Sequence, residues 1–192
     1  MEVFPRPPAG TVDAKISDAT LKLLRAHGPR AVTMEAVSQQ SGVAKTTLYR
    51  RYRDRRELLR AALAPLGHIS PAKTELSGRE RLMWVVRQSI DVVESGIGLG
   101  GMAALLTDED PEFNALFREI LTTSRSWGIS EFIELAELAG KRERRLHEID
   151  PDLVIDMIVG SYIAERARSG QVSRSWASRV VAVLSLMLER AS

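Results

Sequence analysis

The sequence predicts an all-α protein of about nine helices: a three-helix N-terminal head containing a helix-turn-helix, followed by a larger helical domain. Three observations carry this. Apolar residues recur at helical spacing along most of the chain, with almost no strand-like alternation. Residues 33–58 read as two short helices joined by a glycine turn, the second carrying Lys45, Thr46, Thr47, Tyr49 and Arg50. Residues 1–64 hold twelve Lys/Arg against six Asp/Glu, whereas the remainder holds fifteen against nineteen. A basic first third on a mildly acidic remainder predicts that only the head meets a polyanion.

The elements follow in order. Residues 1–10 are Pro-rich and read as a flexible arm. The first helix runs from about Val12 to His27, with Ile16, Ala19, Leu23 and Leu24 on one face, and Gly28-Pro29 stops it. Thr33 is the N-cap of the second, which carries Met34, Ala36 and Val37. Gly42 supplies the turn, because glycine takes positive φ at little cost. The third helix runs from about Lys45 to Tyr49. Asp54-Arg55-Arg56-Glu57 has capping-box spacing and opens the fourth, with Leu58, Leu59, Ala62 and Leu63.

Gly67 to Ser77 reads as a connection, which sets a head over 11–66 and a second domain over 67–192. The fifth helix spans about Gly78 to Glu94, with Leu82, Val85, Val86, Ser89, Ile90 and Val93 in one stripe. Gly96, Gly98, Gly100 and Gly101 are expected to break it, and a short helix follows to Leu106. Asp110-Pro111 caps a long helix to about Leu138, with Trp127-Gly128 as a candidate bend. Asp150-Pro151 repeats the device and opens a helix to Arg168 that Gly170 closes; Ser173 caps the last helix, to about Arg190.

The Asp150 helix is apolar on every side, so it is expected to be buried all round. Gly160, Ala164 and Ala167 form a small stripe that admits another helix closely. Trp176, Val180, Val181, Val183, Leu184, Met187 and Leu188 cover an unusually broad arc on the final helix. Helices 151–168 and 174–190 are therefore expected to pack on their copies in a homodimer. The alternative is a well-filled monomer core.

The chain has no cysteine, which removes disulfides, thiolate metal sites and a Cys nucleophile and is compatible with a cytoplasmic home. Its first ten residues lack a basic n-region and an apolar h-region, so a signal peptide is not expected. No apolar run is expected to approach the ~20 residues of a membrane span, so no membrane partner is expected.

The residues from Ile16 to Leu63 resemble the TetR/AcrR family of bacterial transcriptional regulators. The resemblance rests on Gly28, Thr33, Ser41-Gly42-Val43, Thr47-Leu48-Tyr49, Tyr52, Asp54-Arg55 and Leu58. A looser likeness to one ligand-domain subtype runs from Asp108 through Asp150-Pro151-Asp152-Leu153 and Gly160 to the end. The resemblance implies an all-helical homodimer whose first three helices read DNA. It also implies a C-terminal domain that dimerises and encloses a small-molecule site, ligand binding there moving helix four and releasing the operator. Ala44 departs from the pattern by replacing a polar cap, at a cost of about 0.5–2 kcal/mol unless something else caps the helix. Thr46 stands where Gly or Ala is frequent.

Phosphates give affinity and base edges give specificity. Lys45, Thr46, Thr47 and Arg50 are the candidate base readers: Lys45 or Arg50 could reach guanine O6/N7, and a threonine methyl could meet a thymine methyl. Tyr49 is expected on a phosphate or sugar, Thr33 at a helix N-terminus facing a phosphate, and Arg53 and Arg55 as phosphate clamps. Leu48 and Tyr52 are expected in the core.

For a small-molecule effector, Trp84, Gln88 and Asp91 share the side of helix five opposite its main stripe. Met102, Leu105, Phe113, Phe117, Trp127 and Met157 are further candidates, each with core packing as the alternative. Asp156 could meet a cationic ligand or a structural partner such as an arginine. His27, His68 and His147 show no metal spacing, and no metal or other cofactor is expected. The expected function is a ligand-responsive dimeric repressor of a palindromic operator. Alternatives are an activator, a regulator answering to a protein partner, or a basic protein binding DNA without sequence choice. No phosphate loop, Ser–His–Asp order or paired polar carboxylates supports an enzyme.

Overall fold

The computed structural model describes residues 8, 10–67, 76–138 and 150–190. Among the described residues every regular element is helical: α1 (Val12–His27), α2 (Met34–Ser41), α3 (Lys45–Arg51), α4 (Arg55–Leu63), α5 (Gly78–Asp91), α6 (Gly98–Thr107), α7 (Pro111–Leu138), α8 (Pro151–Ser169) and α9 (Trp176–Arg190). Short 3₁₀ turns follow α1 and α4. The arm expected over 1–10 lies mostly outside the described residues, as do His68 and His147. Contacts divide the chain into two compact units, residues 1–68 with 92–123 and residues 69–91 with 124–192.

In the first unit, local chemistry sets the helix ends. Thr11 caps α1 by accepting from Ala14 N–H at 3.2 Å, and Gly28 closes it at φ 78°. Ile16, Ala19 and Leu24 are buried as the periodicity predicts, whereas Leu23 only packs against the core's edge. Thr20 is also fully buried, its hydroxyl donating to Ile16 O at 2.8 Å, so no polar group is stranded. Leu58, Leu59, Ala62 and Leu63 of α4 complete this core. Each of the three leucines is at most 1% exposed, worth about 1.5–3 kcal/mol apiece.

The glycine cluster does not end the helix, contrary to expectation. Residues Val92–Ile97 form one π-helical turn that runs from α5 into α6. Gly100 lets α6 lie against the end of α1: a Cβ there would sit 2.7 Å from Gly28 N and from Leu24 O. Arg25 donates to the carbonyl of Ser95 within the π turn. The joined run Gly78–Thr107 is 30 residues long and, by length and composition alone, apolar enough to cross a membrane. Its glycines and buried side chains serve helix packing here. Asp110 caps α7 by accepting from Phe113 N–H at 3.0 Å, with Pro111 at the first helical position.

In the second unit, α5 packs on α8 and α9. Leu82, Val85, Val86 and Ile90 are its buried stripe, and Ser89 returns its hydroxyl to Val85 O at 2.9 Å. Helix α7 runs unbroken through the candidate bend, and Gly128 gives room to Ile155, whose Cδ1 lies 3.2 Å from where a Cβ would stand. Asp150 accepts from Asp152 and Leu153 N–H to open α8, and Gly170 closes it at φ 72°. Asp156 has the structural partner: Arg125 donates to it at 2.7 Å and to Asp152 at 2.5 Å. Helix α8 is not buried all round within one chain. Val154, Ile155, Ile158 and Tyr162 face inward, but Leu153 and Met157 are exposed, as are Val183 and Leu186 of α9.

Candidate nucleic-acid interface

The α2–α3 corner is built by three small devices. Thr33 Oγ1 accepts from Ala36 N–H at 3.0 Å, capping α2. Gly42 takes the left-handed conformation at φ 68°, ψ 12°. Two serines then fix the turn: Ser38 donates to Val43 O at 2.7 Å, and Ser41 Oγ accepts from Val43 N–H at 3.2 Å. Ala44 gives α3 no side-chain cap; the serine bonds end at Val43 and fix only the turn that leads into the helix. Leu48 is fully buried and anchors α3, while Lys45, Thr46, Tyr49 and Arg50 are exposed and Thr47 is half-buried. Tyr49 is 57% exposed, unusual for so large an aromatic side chain without a partner surface.

The exit from α3 is as tightly specified. Asp54 Oδ1 accepts from Glu57 N–H at 2.9 Å, and Glu57 Oε2 accepts from Arg53 N–H at 2.7 Å. The Asp54 cap is the one expected from the spacing, while the Glu57 return bond goes to the N–H one residue before the cap. The Glu57 N–H holds the Asp54 carboxyl below the usual range, and the neighbouring Arg53 lowers it further. Tyr52 is half-buried; its hydroxyl donates to Asp13 at 3.4 Å, and burial first, then the Asp13 charge, pushes the phenol up.

The basic side chains fall into two sets. Arg53 stays exposed on the rim, with one contact to Asp54 at 3.3 Å. Arg55 turns inward. It donates to Val32 O at 2.8 Å, Pro29 O at 2.7 Å, Asp110 at 2.5 Å and Glu112 at 2.9 Å. All four partners lie inside the first unit, so Arg55 braces the head, whereas the expected phosphate clamp would leave its guanidinium free. Arg51 likewise holds Asp13 through two 2.9 Å contacts, and Lys45 pairs with Glu35. The pairings of Lys45, Arg51 and Arg55 are not visible in the sequence, since their partners lie 10 to 57 residues away.

Residues 16–62 match the family described as bacterial regulatory proteins, tetR family. Residues 16–62 form a tetR-family DNA-binding domain. The fold of the chain is similar to that of Mycobacterium smegmatis AmtR, with a TM-score of 0.59 and 21% identity over 96% of this chain and 89% of that one. It is also similar to the transcriptional regulator FadR from Bacillus subtilis in complex with stearoyl-CoA, with a TM-score of 0.59 and 18% identity over 92% and 96%. No curated protein sequence matches the chain.

Around this tetR-family reader, the effector candidates separate. Phe113 and Phe117 are at most 1% exposed and stack at 5.8 Å in the core of the first unit, and Met102 and Leu105 pack against that core. In the second unit, Trp84 and Trp127 meet edge to face at 4.6 Å. Trp84 also lines a depression of about 370 Å³ with Leu76, Arg79, Glu80, Met83 and Arg87. Gln88 is half-buried, Asp91 is exposed, and neither lines that depression. Met157 belongs to a different place, a groove of about 330 Å³ between α8 and α9. The candidates therefore divide among core, a Trp pair and an interhelical groove. Among the described residues no cluster of His, Cys, Asp and Glu could hold a metal.

Proposed function

We propose that the chain is a dimeric transcriptional repressor that binds a palindromic operator and is released by a small molecule. The observation that carries the DNA half is the exposed α3 face of Lys45, Thr46, Tyr49 and Arg50 on a tetR-family domain. Thr46, Thr47, Lys45 and Arg50 read base edges; Tyr49, Arg53 and the Thr33-capped start of α2 hold phosphates, with Ala44 close to the backbone. Arg55 is left out of the phosphate set.

The apolar faces of α8 and α9 support the dimer. Leu153 is 56% exposed, Met157 44%, Val183 52% and Leu186 53%, and a second copy would cover them. The effector half draws on the FadR neighbour, whose complex with stearoyl-CoA shows a ligand on a similar fold. Here the Trp84 depression, with apolar walls and two arginines, is the first place to look. The chain then acts in the cytoplasm as a binding protein, with no reaction to catalyse.

The test is fluorescence anisotropy with the intergenic DNA upstream of the chain's own gene and with random duplex. The proposal expects the two affinities to differ by roughly 10³ or more, both falling steeply with salt. Equal affinity for both would leave a sequence-blind DNA-binding protein instead.

A further inference from the structure

Six cations stand between positions 45 and 56 of the reader, and most already have a carboxylate. Arg51 is held by Asp13, Arg53 by Asp54, and Arg55 by Asp110 and Glu112. Arg50 and Arg56 are without an ion pair among the described residues. Lys45, the first residue of α3, is held by Glu35 in the first turn of α2.

The Lys45–Glu35 pair differs from the others in having no evident structural work. Its side chains are 51% and 63% exposed. An exposed pair of this kind adds little to stability. The Lys45 ammonium nonetheless holds the Glu35 carboxyl below its usual range, first through the hydrogen bond and then through its charge. Glu35 also stands two residues after Thr33, beside the helix start assigned to a phosphate. A lone carboxylate there would repel the backbone.

We propose that Glu35 is a specificity-determining residue of the reader, positioning Lys45 for a base edge and withholding it from phosphates. An ammonium has three donors. One stays on Glu35 while the other two meet O6 and N7 of a guanine, the paired acceptors of the major groove. On this proposal a phosphate lies out of reach unless Lys45 leaves Glu35, and the freed carboxylate then faces the polyanion. That penalty applies on any sequence, so Lys45 contributes on the operator and is nearly silent on random DNA. Discrimination thus comes from an unfavourable alternative as well as a favourable contact. This inference rests on the operator-binding reading above.

The experiment compares the wild-type chain with Glu35→Gln, Glu35→Asp, Lys45→Met and the Glu35→Gln/Lys45→Met double variant. Anisotropy on a random-sequence duplex over a KCl series reads the salt slope, and selection from a randomised duplex library reads base preference. Circular dichroism melting controls for folding, which an exposed position should leave intact. Glu35→Gln is expected to steepen the log–log slope by about 0.9, one additional phosphate. It is also expected to weaken guanine preference at one position per half-site by about tenfold, within the range of a bidentate contact. Glu35→Asp should fall between, and in the Lys45→Met background the Glu35 change should leave the slope and the guanine preference unchanged while tightening binding equally on all sequences, because it removes a lone carboxylate. An unchanged slope, or a steeper slope with guanine preference intact, overturns the proposal. A wild-type chain that enriches no sequence defeats the operator reading, a result distinct from the slope comparison on random DNA.

Discussion

Replacing Arg55 with alanine separates a structural arginine from a phosphate clamp. The substitution deletes four hydrogen bonds, to Pro29 O, Val32 O, Asp110 and Glu112. Charged hydrogen bonds of about 1.5–3 kcal/mol each would sum to far more than is realistic, because such contacts are not additive. Glu112, whose side chain is 41% exposed, returns to water at a cost of about 0–1 kcal/mol. Asp110 decides the magnitude. Its side chain is only 10% exposed, and orphaning a buried charge costs about 3–5 kcal/mol. It keeps the Phe113 N–H, and the 24% exposure of the Arg55 side chain admits some water into the gap. The expected loss is therefore roughly 2–4 kcal/mol. With an m-value of about 2 kcal/mol/M, the urea midpoint of the first unit falls by about 1–2 M. Adding Asp110→Asn keeps the α7 cap and removes the orphan charge, so the double variant should recover part of the loss. The salt slope of DNA binding should stay as in the wild type. A stable Arg55→Ala variant whose slope shrinks by about 0.9 would refute the structural assignment and restore the phosphate clamp.

Three further outcomes follow from the packing. Gly100→Ala places a methyl 2.7 Å from backbone atoms of Gly28 and Leu24, so it should destabilise the first unit by about 1–3 kcal/mol in a urea titration despite alanine's better helix propensity. Glu165 is held below its usual range first by Ser173 N–H and then by Arg179. Its folded pKa is thus lower than its unfolded one, so its stabilising effect is complete above the ordinary glutamate range near about 4.3 and is lost as pH falls through the folded value. Glu165→Gln should flatten that acid-side decline in equilibrium unfolding. Met157→Glu, which puts a charge on the exposed α8 face, should shift the sedimentation coefficient to that of a single chain while leaving helical content unchanged.

Local chemistry was the legible part of this fold. Thr33, Asp54 with Glu57, Asp110-Pro111 and Asp150-Pro151 announce helix starts because a cap needs only residues a few positions away. Gly28, Gly42 and Gly170 mark ends for the same reason, each at positive φ. The Gly96–Gly101 cluster misled because its meaning is tertiary: these glycines admit Leu66, Arg25 and the end of α1, and packing keeps the chain helical where propensity alone would stop it. In the reader, Arg53 and Arg55 look alike in sequence. The carbonyls of Pro29 and Val32 and the Asp110 and Glu112 carboxylates, 55 and 57 residues further on, make one of them a brace. The effector candidates failed to separate because core and cavity walls use the same residues. Phe113 and Trp84 differ in what surrounds them, a property that periodicity does not encode.

The central claim is that two copies of this reader grip one duplex across a two-fold axis. Hydroxyl-radical footprinting of the DNA upstream of the chain's own gene tests it most directly. Two symmetric protected half-sites are expected, with centres about 34–36 Å apart or a multiple of that spacing. A single asymmetric protected patch, or none on any promoter fragment, would contradict the account.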